Sequence, residues 1–164
     1  WRENGGMDSG LPTPADESER KVVSDVQIHG WHVVKVFASA ERPEFAYTIG
    51  LQHNFGHPEL IVFGLSSKIA HAALNVAGDN IRAGACYQAG TQTDQILNQY
   101  LCAFRPVPLA QYREHLGFAL WFYRGSAFQA LQLIYPDREG RWPWQDGVSH
   151  AFRQGQPLLD GVVH

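Results

Sequence analysis

The chain lacks most features that would place it outside the ordinary globular class. Its 164 residues include only two cysteines. Cys86 and Cys102 form no C-x-x-C pair, which disfavours a disulfide scaffold or a cysteine-based zinc site and favours a reducing cytoplasm. No apolar run approaches the roughly 20 residues that span a bilayer, and no signal-peptide core opens the chain. The sequence therefore predicts a cytoplasmic protein without a membrane segment.

An excess of charge of one sign is also missing. The 13 basic and 16 acidic residues give a formal charge of -3. Binding to phosphate backbones or anionic membranes draws on concentrated lysine and arginine, so neither nucleic acid nor a membrane is predicted as a partner. The single methionine, Met7, indicates that residues 1–6 come from an expression vector, which leaves residues 7–164 as one predicted domain.

Known catalytic motifs are absent as well. The chain contains no G-x-G-x-x-G, P-loop, G-x-S-x-G or H-E-x-x-H sequence. Either cysteine could pair with a histidine as a nucleophile, but no neighbouring residue supports such a pair. The sequence thus leaves open whether the protein is an enzyme.

Apolar periodicity predicts the main elements. Thr13 and Pro14 are typical of a helix start, and Gly30 of its end. Ser66 or Ser67 can cap a second helix that runs to Gly84. A third helix is predicted over residues 110–123, and strands over residues 31–38, 45–51, 59–65, 101–107 and 128–135.

The order of these elements predicts the fold class. The first three strands are joined by connections too short for helices, so they should be antiparallel neighbours. The strand at residues 59–65 has apolar residues on both faces, which is typical of a central strand. We expect an α+β fold with about three helices and a mainly antiparallel sheet, in the manner of a split barrel.

The segment between the second and third strands is the first candidate site. His53 and His57 have H-x-x-x-H spacing, but Asn54, Gly56 and the proline at position 58 predict a loop instead of a helix. With Glu59, the two imidazoles could face a metal or an anionic ligand, or they could brace the turn. No third zinc ligand is identifiable, so no metal site is predicted.

Two strands carry unusual polar residues. Thr48 and Gly50 give the strand of Tyr47 a small, polar face, which could admit a flat ligand or a closely packed helix. Gln132 lies within the apolar run LQLIY, and a buried amide there could contact a ligand or tie down a loop.

The end of the chain is rich in aromatic residues. Asp137 begins a turn that we expect to be solvated. Trp142 and Trp144 flank a proline, and their rings should cover the core or stack on a ligand.

The stretches FAYTIGL, HPELIVFGL, LGFALWFY and LQLIYPDREGRWPW follow one another in this chain. In that order they resemble the bacterial family catalogued as domain of unknown function 4262, over most of residues 25–160. This resemblance implies no activity. A more distant likeness, to the flavin reductase-like FMN-binding split barrels, rests on Thr48, Pro58 and the following apolar strand and helix, and it implies FMN as a cofactor. The chain lacks an arginine or lysine cluster for the flavin phosphate.

Three hypotheses of function remain open. The first is a small-molecule or flavin-type cofactor-binding domain. The second is a non-catalytic interaction module whose aromatic C-terminal part meets a protein partner or a second copy in a homo-oligomer. The third is a metal-dependent hydrolase using His53, His57 and Glu59. The candidate ligand-binding residues are Tyr47, Thr48, Gly50, His53, Asn54, His57, Glu59, Gln132, Asp137, Trp142 and Trp144.

Overall fold

The computed structural model describes residues 10–161, so the prediction about residues 1–6 lies outside the described part of the chain. Its strands are β1 (His32–Val36), β2 (Phe45–Ile49), β3 (Glu59–Phe63), β4 (Gln92–Leu97), β5 (Tyr100–Pro106) and β6 (Ala130–Ile134). Its α-helices are α1 (Glu17–His29), α2 (Leu51–Phe55), α3 (Ser67–Arg82), α4 (Tyr112–His115), α5 (Gly117–Tyr123) and α6 (His150–Gly155). A 3₁₀ turn, Leu109–Gln111, precedes α4.

The strands form one sheet in the order β1-β2-β3-β6-β5-β4. The predicted antiparallel contacts of the first three strands are confirmed. The sheet is nevertheless mixed, because β3 and β6 pair in parallel. Parallel neighbours need a long crossover, and here the chain from β3 to β6 includes three helices and the β4–β5 hairpin. Within residues 10–161 the sheet ends at β1 and β4, so the barrel-like arrangement is not found.

The α+β class is therefore correct, whereas the expected number of helices is too low: residues 10–161 contain six. Helix α1 begins later than predicted, since Asp16 and not Thr13 caps it by accepting a hydrogen bond from the Glu19 amide (2.8 Å). The predicted helix at residues 110–123 is interrupted at Leu116, whose backbone is not helical. The loop expected around His53 is helix α2.

Both faces of the sheet are covered. Helix α3 packs over one face, in a cluster that includes Val33 and Val62. Helices α1, α4 and α5 cover the other face, in a cluster that includes Val34 and Ile61. Ile61 and Val62 are 0% and 1% exposed, which confirms that β3 is a central strand. No helix within residues 10–161 has the length and apolar character required to cross a membrane.

Candidate functional site

A buried carboxylate lies at the centre of the segment that the sequence singled out. Glu59 is the first residue of β3 and is fully buried. The chain turns from β2 into α2 at Gly50, whose φ of 118° favours glycine. This turn directs three backbone amides at Glu59, from Gly50 (3.0 Å), Leu51 (3.3 Å) and Gln52 (3.2 Å). The carboxylate thereby satisfies amides that have no acceptor within the helix.

Two hydroxyl groups complete the environment of Glu59. The Thr48 hydroxyl accepts from the Leu60 amide (3.0 Å) and donates to the carboxylate (2.7 Å). The Tyr123 hydroxyl accepts from the His53 amide (3.2 Å) and donates to the same carboxylate. Because each hydroxyl already accepts from an amide, its proton is directed at Glu59. This arrangement suits the deprotonated carboxylate.

Burial and hydrogen bonding act on Glu59 in opposite directions. Burial raises the pKa of Glu59, and the hydrogen bonds from Tyr123 and Thr48 oppose that rise without cancelling it. Burial and the nearby Glu59 charge raise the pKa of Tyr123 well above its ordinary value, so this hydroxyl remains a donor. The carboxylate accepts all five of its hydrogen bonds from the protein itself. Its geometry connects β2, β3, α2 and α5 and presents no reactive oxygen to a substrate.

The two histidines have different environments. His57 is buried, with Nδ1 donating to the Pro58 carbonyl (2.8 Å) and Nε2 accepting from the Tyr87 amide (2.9 Å). Burial lowers the pKa of His57, which favours this neutral form. His53 lies on α2, is exposed, and places its ring against the edge of Phe122 (5.8 Å between centroids). Residues 10–161 contain no group of three or more potential ligands that could hold a metal.

Other candidates from the first half of the chain also bond within the protein. The Tyr47 hydroxyl accepts from the Phe118 amide (3.1 Å), and burial raises the pKa of Tyr47 to about 12. The Asn54 amide group donates to the carbonyls of Val26 (3.1 Å) and Gly30 (2.8 Å). These contacts connect α5 to β2 and the C-terminal end of α1 to α2.

Gln132 and Asp137 organise the C-terminal part of the chain. Gln132 donates to the Pro157 carbonyl (2.7 Å) and accepts from the Leu159 amide (2.9 Å), so it ties down the segment after α6. Asp137 accepts from the amides of Glu139 (3.0 Å) and Arg141 (2.8 Å) and closes its turn. Both side chains are used to hold backbone.

The tryptophans form a half-buried stack. The rings of Trp142 and Trp144 are 5.4 Å apart and almost parallel. The Arg105 guanidinium lies over Trp144 (4.9 Å) and also pairs with Asp160 (2.8 Å). Trp144 lines a small cavity of about 510 Å³, and the residues that line it are far in sequence from the Glu59 segment. The structure therefore does not bring the predicted residues together around one pocket.

A larger groove, of about 1490 Å³, follows the outer side of β1 between α1 and α3. Of the predicted site residues, only Asn54 lines it. The residues that sequence reasoning missed include Lys21, Asp25, His32, Lys35, His71 and Asn75. The polar lysine within WHVVKVFA is the one local signal, but the position of that strand at an edge depends on distant pairing.

At this edge of the sheet, alternate residues of β1 direct their backbone N–H and C=O groups away from β2. The Glu44 carbonyl, directly before β2, accepts from the Gly64 amide (2.9 Å), so Glu44 directs its backbone groups toward β3. The direction of the backbone groups alternates along a strand, so every second residue of β2, beginning with the one after Glu44, directs its N–H and C=O toward β1. In the register of β1 with β2, those residues lie opposite His32, Val34 and Val36, which therefore direct their own backbone groups toward β2. Val33 and Lys35 consequently turn their N–H and C=O groups outward. No described residue hydrogen-bonds to them there.

One wall of the groove carries a compact ion cluster on α1. Asp25 pairs through one oxygen with Lys21 (3.0 Å) and through the other with His32 Nδ1 (2.7 Å). Burial alone would raise the pKa of Asp25, but its hydrogen bonds to His32 and Lys21 outweigh burial and lower it. On the α3 side, Trp31 Nε1 donates to Asn75 (2.9 Å).

The fold and the site together define an α+β protein in which a buried carboxylate accepts all its hydrogen bonds from the protein, and in which an open groove follows one sheet edge. The chain belongs to the family described as domain of unknown function (DUF4262), whose model matches residues 25–149. That range includes both Glu59 and the edge strand β1. No curated protein and no solved structure matches the chain.

Proposed function

We propose that this protein is an interaction module that binds an extended segment of a partner protein as an additional strand on β1. The observation that carries the proposal is the outward backbone of Val33 and Lys35 along the groove between α1 and α3. Open N–H and C=O groups at a sheet edge are ready to pair with another extended chain. The proposal keeps the interaction hypothesis but moves its surface from the C-terminal tryptophans to β1.

The other sheet edge is less suited to pairing. The register of β4 with β5 shifts between Thr93 and Leu97, and such irregularities interrupt the regular spacing of edge groups. β1 pairs with β2 over five consecutive positions without a shift, so its outer side is regular.

The shape of the groove favours a single extended segment over a second copy of the chain. Asp25 on α1 and His71 on α3 line the same groove, so the two walls face each other across the edge. A lone strand needs only the spacing of about 4.8 Å to its neighbour. A second copy that paired through its own β1 would also bring its α1 and α3 walls against the α1 and α3 walls of the first copy. Ile28 and Phe37, 71% and 76% exposed, also line the groove and offer apolar contacts to a partner.

The cofactor hypothesis has less support in this geometry. Thr48, His57 and Glu59 use their polar atoms in hydrogen bonds within the protein. A ligand beside them would have to break those bonds, at about 1–3 kcal/mol for each buried group left unpaired. A change in flavin fluorescence on titration with FMN, abolished by Thr48→Val, would restore the cofactor hypothesis to first place.

A library of random linear peptides displayed on phage tests the proposal. We expect peptides that bind the wild-type protein and, more weakly, Lys35→Thr, but that do not bind Lys35→Pro, because proline removes the outward N–H of Lys35 and leaves the β1–β2 bonds intact. Peptides that bind Lys35→Pro as well as wild type would contradict edge pairing. A concentration-dependent dimer that Lys35→Pro abolishes would make the second copy the occupant.

Amide exchange gives an independent measurement. In the free protein the amides of Val33 and Lys35 should exchange faster with solvent than that of Val34, which bonds to β2. A selected peptide should slow exchange at Val33 and Lys35 and leave Val34 unchanged. Exchange at Val33 and Lys35 that is as slow as exchange at Val34 would show that the outer edge is already covered.

A further inference from the structure

Acidic side chains along the groove already have partners within the protein. Three of them line it, and their nearest partners are Lys21 (3.0 Å) and His32 (2.7 Å) for Asp25, Arg20 (2.8 Å) for Glu17, and Arg82 (3.7 Å) for Asp79. On the α1 wall, therefore, the local charges are matched within the protein.

Lys35 is different. It is exposed on β1 and, among the described residues, faces no acidic group within ion-pair distance. Side chains alternate along a strand, and Val33 packs into the cluster under α3, so Lys35 lies on the α3 side of the groove. His71 of α3 lines the same groove as Lys35. The α3 side therefore has uncompensated positive charge.

His71 supports this assignment as a neutral donor. Burial, together with the Lys35 charge, lowers the pKa of His71. A neutral imidazole next to an ammonium can donate one hydrogen bond to an anion without adding a second full charge.

We infer that the segment accepted by β1 carries an aspartate or glutamate whose carboxylate lies between Lys35 and His71. This deepens the proposed function and rests on it. A strand paired with β1 places every second side chain on the α3 side, with opposing Cβ atoms about 5 Å apart. That distance lets a carboxylate reach the Lys35 ammonium. Side chains that point toward the α1 wall meet matched charges, so the acidic preference applies to one face of the segment only.

The experiment pans the same random peptide library against the wild-type protein, Lys35→Glu and Lys21→Met. We expect wild type to enrich acidic residues at one fixed position, and Lys35→Glu to enrich lysine or arginine there. Selected acidic peptides should bind Lys35→Glu about tenfold more weakly than wild type. Lys21→Met is the matched control, because Lys21 already pairs with Asp25, and it should retain the acidic preference.

The outcomes separate this inference from the proposal beneath it. Peptides that require the Lys35 amide but show no acidic preference would overturn the inference alone. The same acidic preference in wild type and Lys35→Glu would also overturn it. If no peptide is lost with Lys35→Pro, edge pairing fails and the inference fails with it. Circular dichroism and amide spectra identical to wild type establish that each variant is folded.

Discussion

The Glu59 carboxylate and the β1 edge differ in where their hydrogen bonds go. Glu59 accepts five hydrogen bonds from its own chain, whereas Val33 and Lys35 direct backbone groups toward a groove where no described residue bonds to them. Buried polar groups must be satisfied for the fold to form, and exposed edge groups need not be. The difference teaches that the polar residues most noticeable in this sequence hold the fold together, whereas the binding that we propose would use a backbone edge.

The largest expected effect is on the Glu59 side of this comparison. Glu59→Ala removes the acceptor of three amides and two hydroxyls in a site without solvent exposure. We expect the free energy of unfolding to fall by at least about 3 kcal/mol, measured by urea denaturation. The exposed Glu41→Ala should change it by less than about 0.5 kcal/mol. Equal effects of the two substitutions would refute the structural role of Glu59.

Local pattern was sufficient for some of these elements. The continuous apolar run of β3 predicted a central strand, and the cap at Ser66 predicted the start of α3. Helix α2 was missed because five residues are too few for intrinsic helix formation, and its first amides depend on the Glu59 carboxylate, which comes after the helix in the next strand. A helical position for His53 could not be read from its immediate neighbours.

The groove could not be predicted for a related reason. The edge position of β1 depends on which strands pair, and the parallel contact of Ile61 with Gln132 joins residues far apart in the chain. The parallel pair also requires the long crossover, which makes the mainly antiparallel sheet mixed, and the predicted barrel-like arrangement is not found among residues 10–161. The lysine within WHVVKVFA marks a polar position in an apolar strand, but the local sequence does not indicate which side of that strand is open.

The second effect concerns the two histidines. His57→Ala removes the acceptor of the Tyr87 amide and the donor to the Pro58 carbonyl, both in a buried environment. We expect a loss of about 1–3 kcal/mol in the free energy of unfolding, seen as a lower melting temperature. His53→Ala, at an exposed position, should change it little. If His53→Ala were the more harmful substitution, the assignment of His57 as the brace would be wrong.

A smaller effect should appear in the pH dependence of stability. Burial lowers the pKa of His57 below its ordinary 6.5, so the unfolded chain binds a proton more readily than the folded one. His57 therefore contributes full stability above pH 6.5, and this contribution declines as the pH falls below that value. Urea denaturation at a series of pH values should show a shallower decline for His57→Ala than for wild type. Parallel curves for the two proteins would mean that His57 titrates alike in both states.

The smallest effect on stability belongs to the open edge. Lys35→Thr keeps the outward N–H and removes an exposed side chain without an ion-pair partner among residues 10–161, so the free energy of unfolding should change by less than about 0.5 kcal/mol. The same substitution should weaken binding of acidic peptides, because it removes the charge that the partner carboxylate would face. Glu59→Ala should therefore cause a large loss of stability, whereas Lys35→Thr should weaken peptide binding and leave stability almost unchanged. A large loss of stability in Lys35→Thr, measured by the same urea denaturation, would show that the edge of β1 is part of the folding core and end the contrast between the two regions.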